Sequence, residues 1–294
     1  MLARRLPGIL PSLTEDEALE VASIRSLTGD SVQALDVMPP LESPHHSASV
    51  AALVGGGTRS VRPGAISRAH RGVLFLDEAA EFSRVALDAM RQPLESGVIE
   101  VSRAGITALF PARFQLIVAL NPCPCGNYGV RGAECVCPSL AIRRYSTRLS
   151  GPLRDRIDVE LHVSRVSASQ AMVGDRTGMT SEIARALVIE ARERAGARWR
   201  GTPWLRNSEV PGARLRQLDL RIPADARAPL DRALERGTLT LRGYDRVLRL
   251  AWTMADLAGL DRPGRDEVGQ ALFLKRGYAS VSYTHLTLPT TPYV

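Results

Sequence analysis

The sequence predicts an α/β domain followed by an all-α region, and three observations predict it. Val73–Leu76 (VLFL) is an unbroken apolar run that ends in Asp77 and Glu78, the pattern of a strand buried on both faces. Residues 114–120 (FQLIVAL) repeat the pattern and end in the polar Asn121. From Ser181 onward, helical periodicity continues with no strand signal between the helices, as in a separate helical layer.

Length and composition set the frame. At 294 residues the chain is long enough for two domains with buried cores. Hydrophobic residues make up 45% and charged residues 23%, the balance of a globular protein. No apolar run approaches the ~20 residues of a membrane span and no signal peptide is visible, so a cytoplasmic location without membrane contact is the expectation. Basic residues exceed acidic ones by 38 − 31 = +7, which permits a polyanionic partner without demanding one.

Taken in order, residues 1–5 (MLARR) have helical spacing and stop at Pro7-Gly8. A phosphate-binding loop G-x-x-x-x-G-K-[ST] would be expected just before such a helix, and the sequence contains none. Residues 13–27 form a helix opened by a Thr14/Glu17 capping box and closed by Gly29. Residues 39–57 read as loop, with His45 and His46 serving a loop contact or cap rather than a metal. Residues 83–94 read as a helix, and residues 97–112 as a β-hairpin tipped by Arg103-Ala104-Gly105. Gly151-Pro152 breaks the chain before a short helix at 153–156, and the alternation in 157–163 reads as a strand. Ser181–Arg198, Ala224–Glu235 and residues 240–260 are helices. The packing face of the last is read as Val247, Leu248, Leu250, Ala251, Met254 and Leu257, with Arg242 and Arg246 at its start.

Several of these residues could carry chemistry. In open parallel sheets ligands sit at the carboxyl ends of the strands. There Asp77 can hold a phosphate-bound Mg²⁺ and Glu78 can orient an attacking water, while Asn121 can meet a γ-phosphate. The plainer readings are a polar turn after a strand and an Asn-Pro turn. Arg156, at a helix-to-strand transition, can reach across a subunit interface or pair with Asp155 or Asp158. Cys123, Cys125, Cys135 and Cys137, spaced C-x-C-x₉-C-x-C, can converge on one tetrahedral Zn²⁺; a reduced thiol cluster is the alternative. A closed set of four thiolates would make that site structural.

Together these residues resemble a family. A DE-ended strand, an Asn-ended strand, an Arg before a strand and an Arg in a helical lid are the Walker B, sensor 1, arginine finger and sensor 2 elements of AAA+ ATPases. The segments SPHHSASVAALVGGG, RPGAISRAHRGVLFLDEAAEF, RQPLESGVIEVSRAG, NPCPCG, RLSGPLRDRID and LTLRGYDRVLRLAWTMADLAG resemble the magnesium-chelatase-related branch of ComM/YifB type, over nearly the whole chain to about Gly277. The resemblance implies an α/β AAA+ P-loop NTPase core, here incomplete because the P-loop is missing, followed by an all-α lid. The expected division is 1–165 for the core with a four-cysteine insertion at 123–137, 166–278 for the lid, and 279–294 for a tail of non-native character.

The implied activity is an ATP-driven, hexameric DNA motor of branch-migration or helicase type that serves natural transformation. By residue, Asp77 would serve Mg²⁺, Glu78 the water, Asn121 the γ-phosphate, Arg156 the neighbouring subunit's ATP and Arg242 the lid contact. On the hairpin's own residues, Arg103 at the tip is the expected DNA contact, with an ordinary hairpin whose Arg103 is solvated as the plainer reading and the basic face of Ser181–Arg198 as the other location. Two other classes stay open: a magnesium-chelatase motor subunit driving Mg insertion into a porphyrin, and a fragment that joins a ring without catalysing anything. With no P-loop, the chain alone is expected to be inactive.

Overall fold

The computed structural model describes residues 3–29, 33–57, 61–103, 106–130, 132–163 and 179–276. The side chains of Arg103, Ile106 and Arg276, the hairpin tip 104–105, the linker 164–178 and the expected tail 279–294 lie outside the described residues. The chain forms two compact units, one of Met1–Ile157 with Ser164–Arg206 and one of Asp158–Val163 with Asn207–Val294.

The first unit opens with α1 (Leu6–Ile9) and α2 (Glu15–Thr28). In α2 the capping box is present: Glu17 N–H donates to Thr14 Oγ1 and Thr14 N–H to Glu17 Oε2, and Gly29 takes a φ of 94° at the far end. Next come β1 (Leu41–Glu42), α3 (Val50–Val54), the small antiparallel pair β2 (Gly55–Gly56) and β3 (Arg62–Pro63), and α4 (Ala65–Arg68). Strand β4 (Val73–Leu76) is buried along its whole length, as its unbroken apolar run predicts. It is followed by α5 (Arg84–Asp88), α6 (Pro93–Ser96), β5 (Val98–Arg103), β6 (Ile106–Pro111) and β7 (Gln115–Val118).

The sheet that matters is β1-β4-β7, parallel throughout, with Leu41 opposite Val73 and Leu76 opposite Val118. Gly72 lies where β1 and β4 begin to pair. A Cβ there would stand 2.0 Å from the Pro40 carbonyl oxygen, so only glycine lets Val73 N–H reach that oxygen at 2.8 Å. The core beneath the sheet joins Leu53, Ile66, Leu76, Phe82, Met90 and Leu153 to the inward face of the hairpin, Ile99, Val101 and Phe110.

Three local expectations are corrected. Strand β7 is half-buried rather than buried, because it pairs on one side only among the described residues. The helix expected over 83–94 is two short helices, α5 and α6, with Pro93 restarting the chain at the first position of the second. Residues 157–163 form no strand: among the described residues no strand pairs with them, and Glu160 N–H donates instead to the carbonyl of Leu274.

The first unit ends with α7 (Ser139–Ser146), α8 (Gly151–Arg154) and α9 (Ser181–Arg198). Helix α9 belongs with α1 because Arg185 donates to Ser12 Oγ at 2.8 Å and lies 3.4 Å from the Gly8 carbonyl. The second unit is helical: α10 (Gly212–Leu215), α11 (Ala224–Glu235), α12 (Leu241–Ala258) and α13 (Arg265–Arg276). The buried stripe of α12 runs Tyr244, Val247, Leu248, Ala251, Trp252 and Ala255, at helical spacing. Leu257, expected on that stripe, is exposed, because the aromatic residues Tyr244 and Trp252 define the face instead.

Candidate functional site

Parallel pairing brings three strand ends to one edge of the sheet. Past the ladder, Ala119 N–H donates to the Leu76 carbonyl and Ala79 N–H to the Ala119 carbonyl, so the chain after β4 and the chain after β7 stay side by side. Asp77, Glu78 and Asn121 therefore emerge together, and all three are exposed. Asp77 Oδ1 accepts the Glu78 N–H at 3.1 Å. Glu78 has a φ of 49°, a left-handed conformation unusual for a residue with a side chain, and it opens the 3₁₀ turn Ala79–Glu81.

Two residues not singled out for this edge by sequence join it. The chain leaving β1 carries His46, whose Nδ1 stands 3.4 Å from Glu78 Oε2. Its neighbour His45 bonds Ser47 Oγ at 2.8 Å, so the histidine pair makes loop contacts, as expected, and one of those contacts falls on Glu78. Tyr145 of α7 is buried beside Glu81, Glu78 and Asn121. Burial, then the Glu81 and Glu78 carboxylates, push its hydroxyl above the usual range, while the Asn121 side chain works the other way. The signal for His46 was its place four residues past β1, but a two-residue strand leaves no periodicity to read.

Arg156 lies elsewhere in the same unit. Its guanidinium turns to a carboxylate that sequence did not suggest: Nη2 forms an ion pair with Glu95, and Nη1 donates to the Pro152 carbonyl at 2.6 Å. Arg103 is the last residue of β5 and sits opposite Ile106 in the hairpin ladder. Arg242 belongs to the other unit, exposed in the first turn of α12 just after the cap Thr240. Arg246, one turn on, pairs with Asp158.

The four cysteines do converge. Cys123 and Cys125 Sγ are 3.4 Å apart, each is 3.7 Å from Cys135 Sγ, and all four sulfurs lie within 4.8 Å of one another. Thiolates ~2.3 Å from one tetrahedral ion would stand ~3.8 Å apart, so the cluster can hold a metal ion with little adjustment. The loop is set by Gly126 and Gly129, both at positive φ, and by Asn127 Nδ2 donating to the Glu134 carbonyl at 3.0 Å. Burial opposes ionisation of the Cys123 thiol, but hydrogen bonds from Tyr128 N–H and the neighbouring thiols outweigh it and bring the pKa down to about 6. Cys135 goes the other way, to about 11: the Cys137 backbone hydrogen bond favours its thiolate, but burial and the neighbouring sulfurs Cys125 and Cys123 prevail.

A parallel sheet with exposed Asp, Glu and Asn at the carboxyl ends of adjacent strands is the ligand edge of an open α/β fold. Comparison with known proteins narrows this. Residues 1–171 match the family described as "Magnesium chelatase, subunit ChlI", and residues 178–275 match "Magnesium chelatase, subunit ChlI C-terminal". The chain is 50% identical over 282 residues to an uncharacterized protein of Mycobacterium tuberculosis (94% of this chain, 54% of that protein). It is 42% identical over 278 residues to competence protein ComM of Haemophilus influenzae (92% and 52%). To YifB of Escherichia coli it is 40% identical over 274 residues (92% and 52%). The chain thus belongs to the magnesium-chelatase-related AAA+ family of ComM and YifB, a family of ATPases, and it spans about half the length of these relatives.

Proposed function

We propose that this chain is part of a cytoplasmic AAA+ motor that hydrolyses ATP to act on DNA, of branch-migration or helicase type, in a hexameric ring serving natural transformation. The observation that carries the reading is the convergence of Asp77, Glu78 and Asn121 on one exposed sheet edge. The DNA-acting part is supported by the 42% identity to a competence protein across 92% of the chain. Likeness to the magnesium-chelatase 38 kDa subunit of Acidiphilium rubrum, 38% identical, is confined to 22% of the chain, which leaves the porphyrin-metallating alternative with less support.

Hard carboxylate oxygens exposed at a strand edge suit a hydrated Mg²⁺, and bound Mg²⁺–ATP would supply the phosphoryl group that reacts. In this reading Asp77 holds the ion's water shell. Glu78 orients and deprotonates the attacking water, with His46 fixing its carboxylate. Asn121 senses the γ-phosphate and Tyr145 steadies the Asn121 amide. Arg156 serves the nucleotide of the adjacent subunit and Arg242 the lid contact. Cys123, Cys125, Cys135 and Cys137 hold a structural Zn²⁺, whose four thiolates leave no open position for chemistry.

The hairpin β5–β6 is the proposed DNA contact. Its tip offers Arg103 between small residues and no aromatic, so the contact would be with phosphates and indifferent to sequence. The deciding experiment measures DNA-stimulated ATP turnover by a version carrying a G-x-x-x-x-G-K-[ST] loop ahead of residue 1. Stimulation abolished by Glu78→Gln is expected; turnover indifferent to DNA would overturn the reading. In the same version Arg103→Ala should weaken DNA binding and flatten the log–log salt slope by roughly 0.7 for each single-strand phosphate that is no longer neutralised. An unchanged slope would move the DNA-binding surface off the hairpin.

A further inference from the structure

The surroundings of Arg156 carry more than its expected role. Its side chain is only 7% exposed, and both ends of its guanidinium are engaged within the unit, one by Glu95 and one by the Pro152 carbonyl. A second link joins the same two segments: Ser150, the cap of α8, donates its Oγ to Asp88 Oδ1 at 2.6 Å. Beside these links opens a cleft of about 420 Å³ lined by Asp88, Arg91, Gln92, Glu95, Ser96 and Arg156. With its two terminal nitrogens turned to Glu95 and to the Pro152 carbonyl, the guanidinium would have to exchange these partners to turn toward a phosphate on a neighbouring subunit.

Glu95 is placed to govern that choice. It stands in the four-residue helix α6, and only Ser96 and Gly97 separate it from β5, the first strand of the hairpin. Gly97 turns the chain at a φ of 68° and its carbonyl accepts Ala112 N–H at 2.8 Å, which closes the base of the hairpin. Tilting the hairpin therefore moves the backbone that carries Glu95, while Arg156 stays on α8's side of the cleft. Glu95 is 48% exposed, so its hold on Arg156 is weakened by solvent. A phosphate offers the guanidinium more charge and a bidentate partner.

We propose that Glu95 is a positioning residue that keeps Arg156 on its own subunit until DNA engages the hairpin, and that hairpin movement then releases the arginine to the neighbouring nucleotide. The inference rests on the proposed function, in which Arg156 acts in trans and the hairpin meets DNA. In this reading Glu95 acts through Arg156 rather than on nucleotide or DNA.

The test uses the loop-bearing version, with ATP turnover measured with and without DNA. Glu95→Gln keeps the shape and removes the charge. DNA-free turnover should rise about fivefold, as for removal of one partly exposed ion pair, and the ratio of DNA-stimulated to DNA-free turnover should fall towards one. The double variant Glu95→Gln/Arg156→Ala should show no rise. Glu95→Asp, one methylene shorter, should give an intermediate ratio, and it serves in place of the Gln variant if that one does not fold. Unchanged or reduced DNA-free turnover in the Glu95 variants, alongside a large loss in Arg156→Ala, would overturn the clasp and leave the trans role standing. Undiminished turnover in Arg156→Ala would overturn both.

Discussion

Carboxylates gather at both ends of strand β4 and are used in opposite ways. At the amino end, Arg71 donates to Glu20 at 2.8 Å and to Glu17 at 3.1 Å, and His70 Nε2 lies 2.9 Å from Glu20. The other nitrogen of His70 accepts Arg113 N–H at 3.0 Å, so the buried ring is satisfied on both sides. At the carboxyl end, Asp77 and Glu78 are exposed, and among the described residues no lysine or arginine pairs with either. Carboxylates answered by guanidinium groups a few ångströms away fasten one element to another. Carboxylates left open at a strand edge have capacity for a ligand. Changes at the carboxyl end should therefore cost turnover and spare stability, and changes at the amino end should do the reverse.

The largest effect is expected where the proposed chemistry sits, in the loop-bearing version. Glu78→Gln and Arg156→Ala should each lower turnover by ~10³ or more while leaving nucleotide affinity nearly intact. Mixing the two inactive proteins should restore part of the activity if the proposed ring forms, because a mixed ring would contain interfaces with one good copy of each residue. Mixtures that assemble yet stay inactive at every ratio would remove Arg156 from the trans role. Next in size is His46→Ala, which should cost about tenfold in turnover by freeing the Glu78 carboxylate, in the range of partners that orient a functional side chain. A variant as active as the parent would reduce the 3.4 Å contact to a surface pairing.

The cysteine segment separates from both ends. Structural zinc contributes on the order of 10 kcal/mol to a small module that folds around it. Chelation should raise hydrogen exchange across 121–137 and change turnover by less than the His46 variant does, because the sheet edge is set by the β4–β7 ladder. Protein prepared without chelators that contains no zinc by elemental analysis would leave the cluster as reduced thiols.

What was legible in the sequence follows from how far each contact reaches along the chain. The cysteine cluster closes within fifteen residues, so its spacing alone announced it. The strand ends Asp77 and Asn121 were legible because each is attached to an apolar run that identifies its own strand. His46 and Glu95 were not, because each meets its partner through pairing or packing that spans 32 and 61 residues respectively, and nothing local distinguishes them. The clasp of Glu20 on His70 and Arg71 was equally hidden: the capping box at Thr14 placed the helix, but not what the helix would be tied to.

That clasp gives the smallest expected effect on turnover and the sharpest test of the comparison, through pH. The Glu20 carboxyl is brought down to about 2, chiefly by the Arg71 hydrogen bond with burial opposing and His70 helping. Its folded pKa lies below the unfolded 4.5, so the stability it contributes is whole above about pH 4.5 and is lost as pH falls towards 2. His70 is also depressed, first by burial, with the Glu20 hydrogen bond opposing. An unfolded imidazole takes up its proton near pH 6.5 while the folded one resists, so this contribution is whole above 6.5 and fades as pH drops below it. Both act in the same direction, but Glu20's share is softened by its 45% exposure and changes only below about pH 4.5, so between pH 6.5 and 4.5 the fall comes from His70. Thermal unfolding midpoints should fall across that window in the parent protein and stay flatter in His70→Gln. At pH 8 that variant should lose about 1–3 kcal/mol of stability for leaving the Arg113 N–H or Glu20 poorly met, with turnover unchanged. Turnover falling in His70→Gln as steeply as in Glu78→Gln, at an unaltered unfolding midpoint, would mean that the amino end of β4 also belongs to the site.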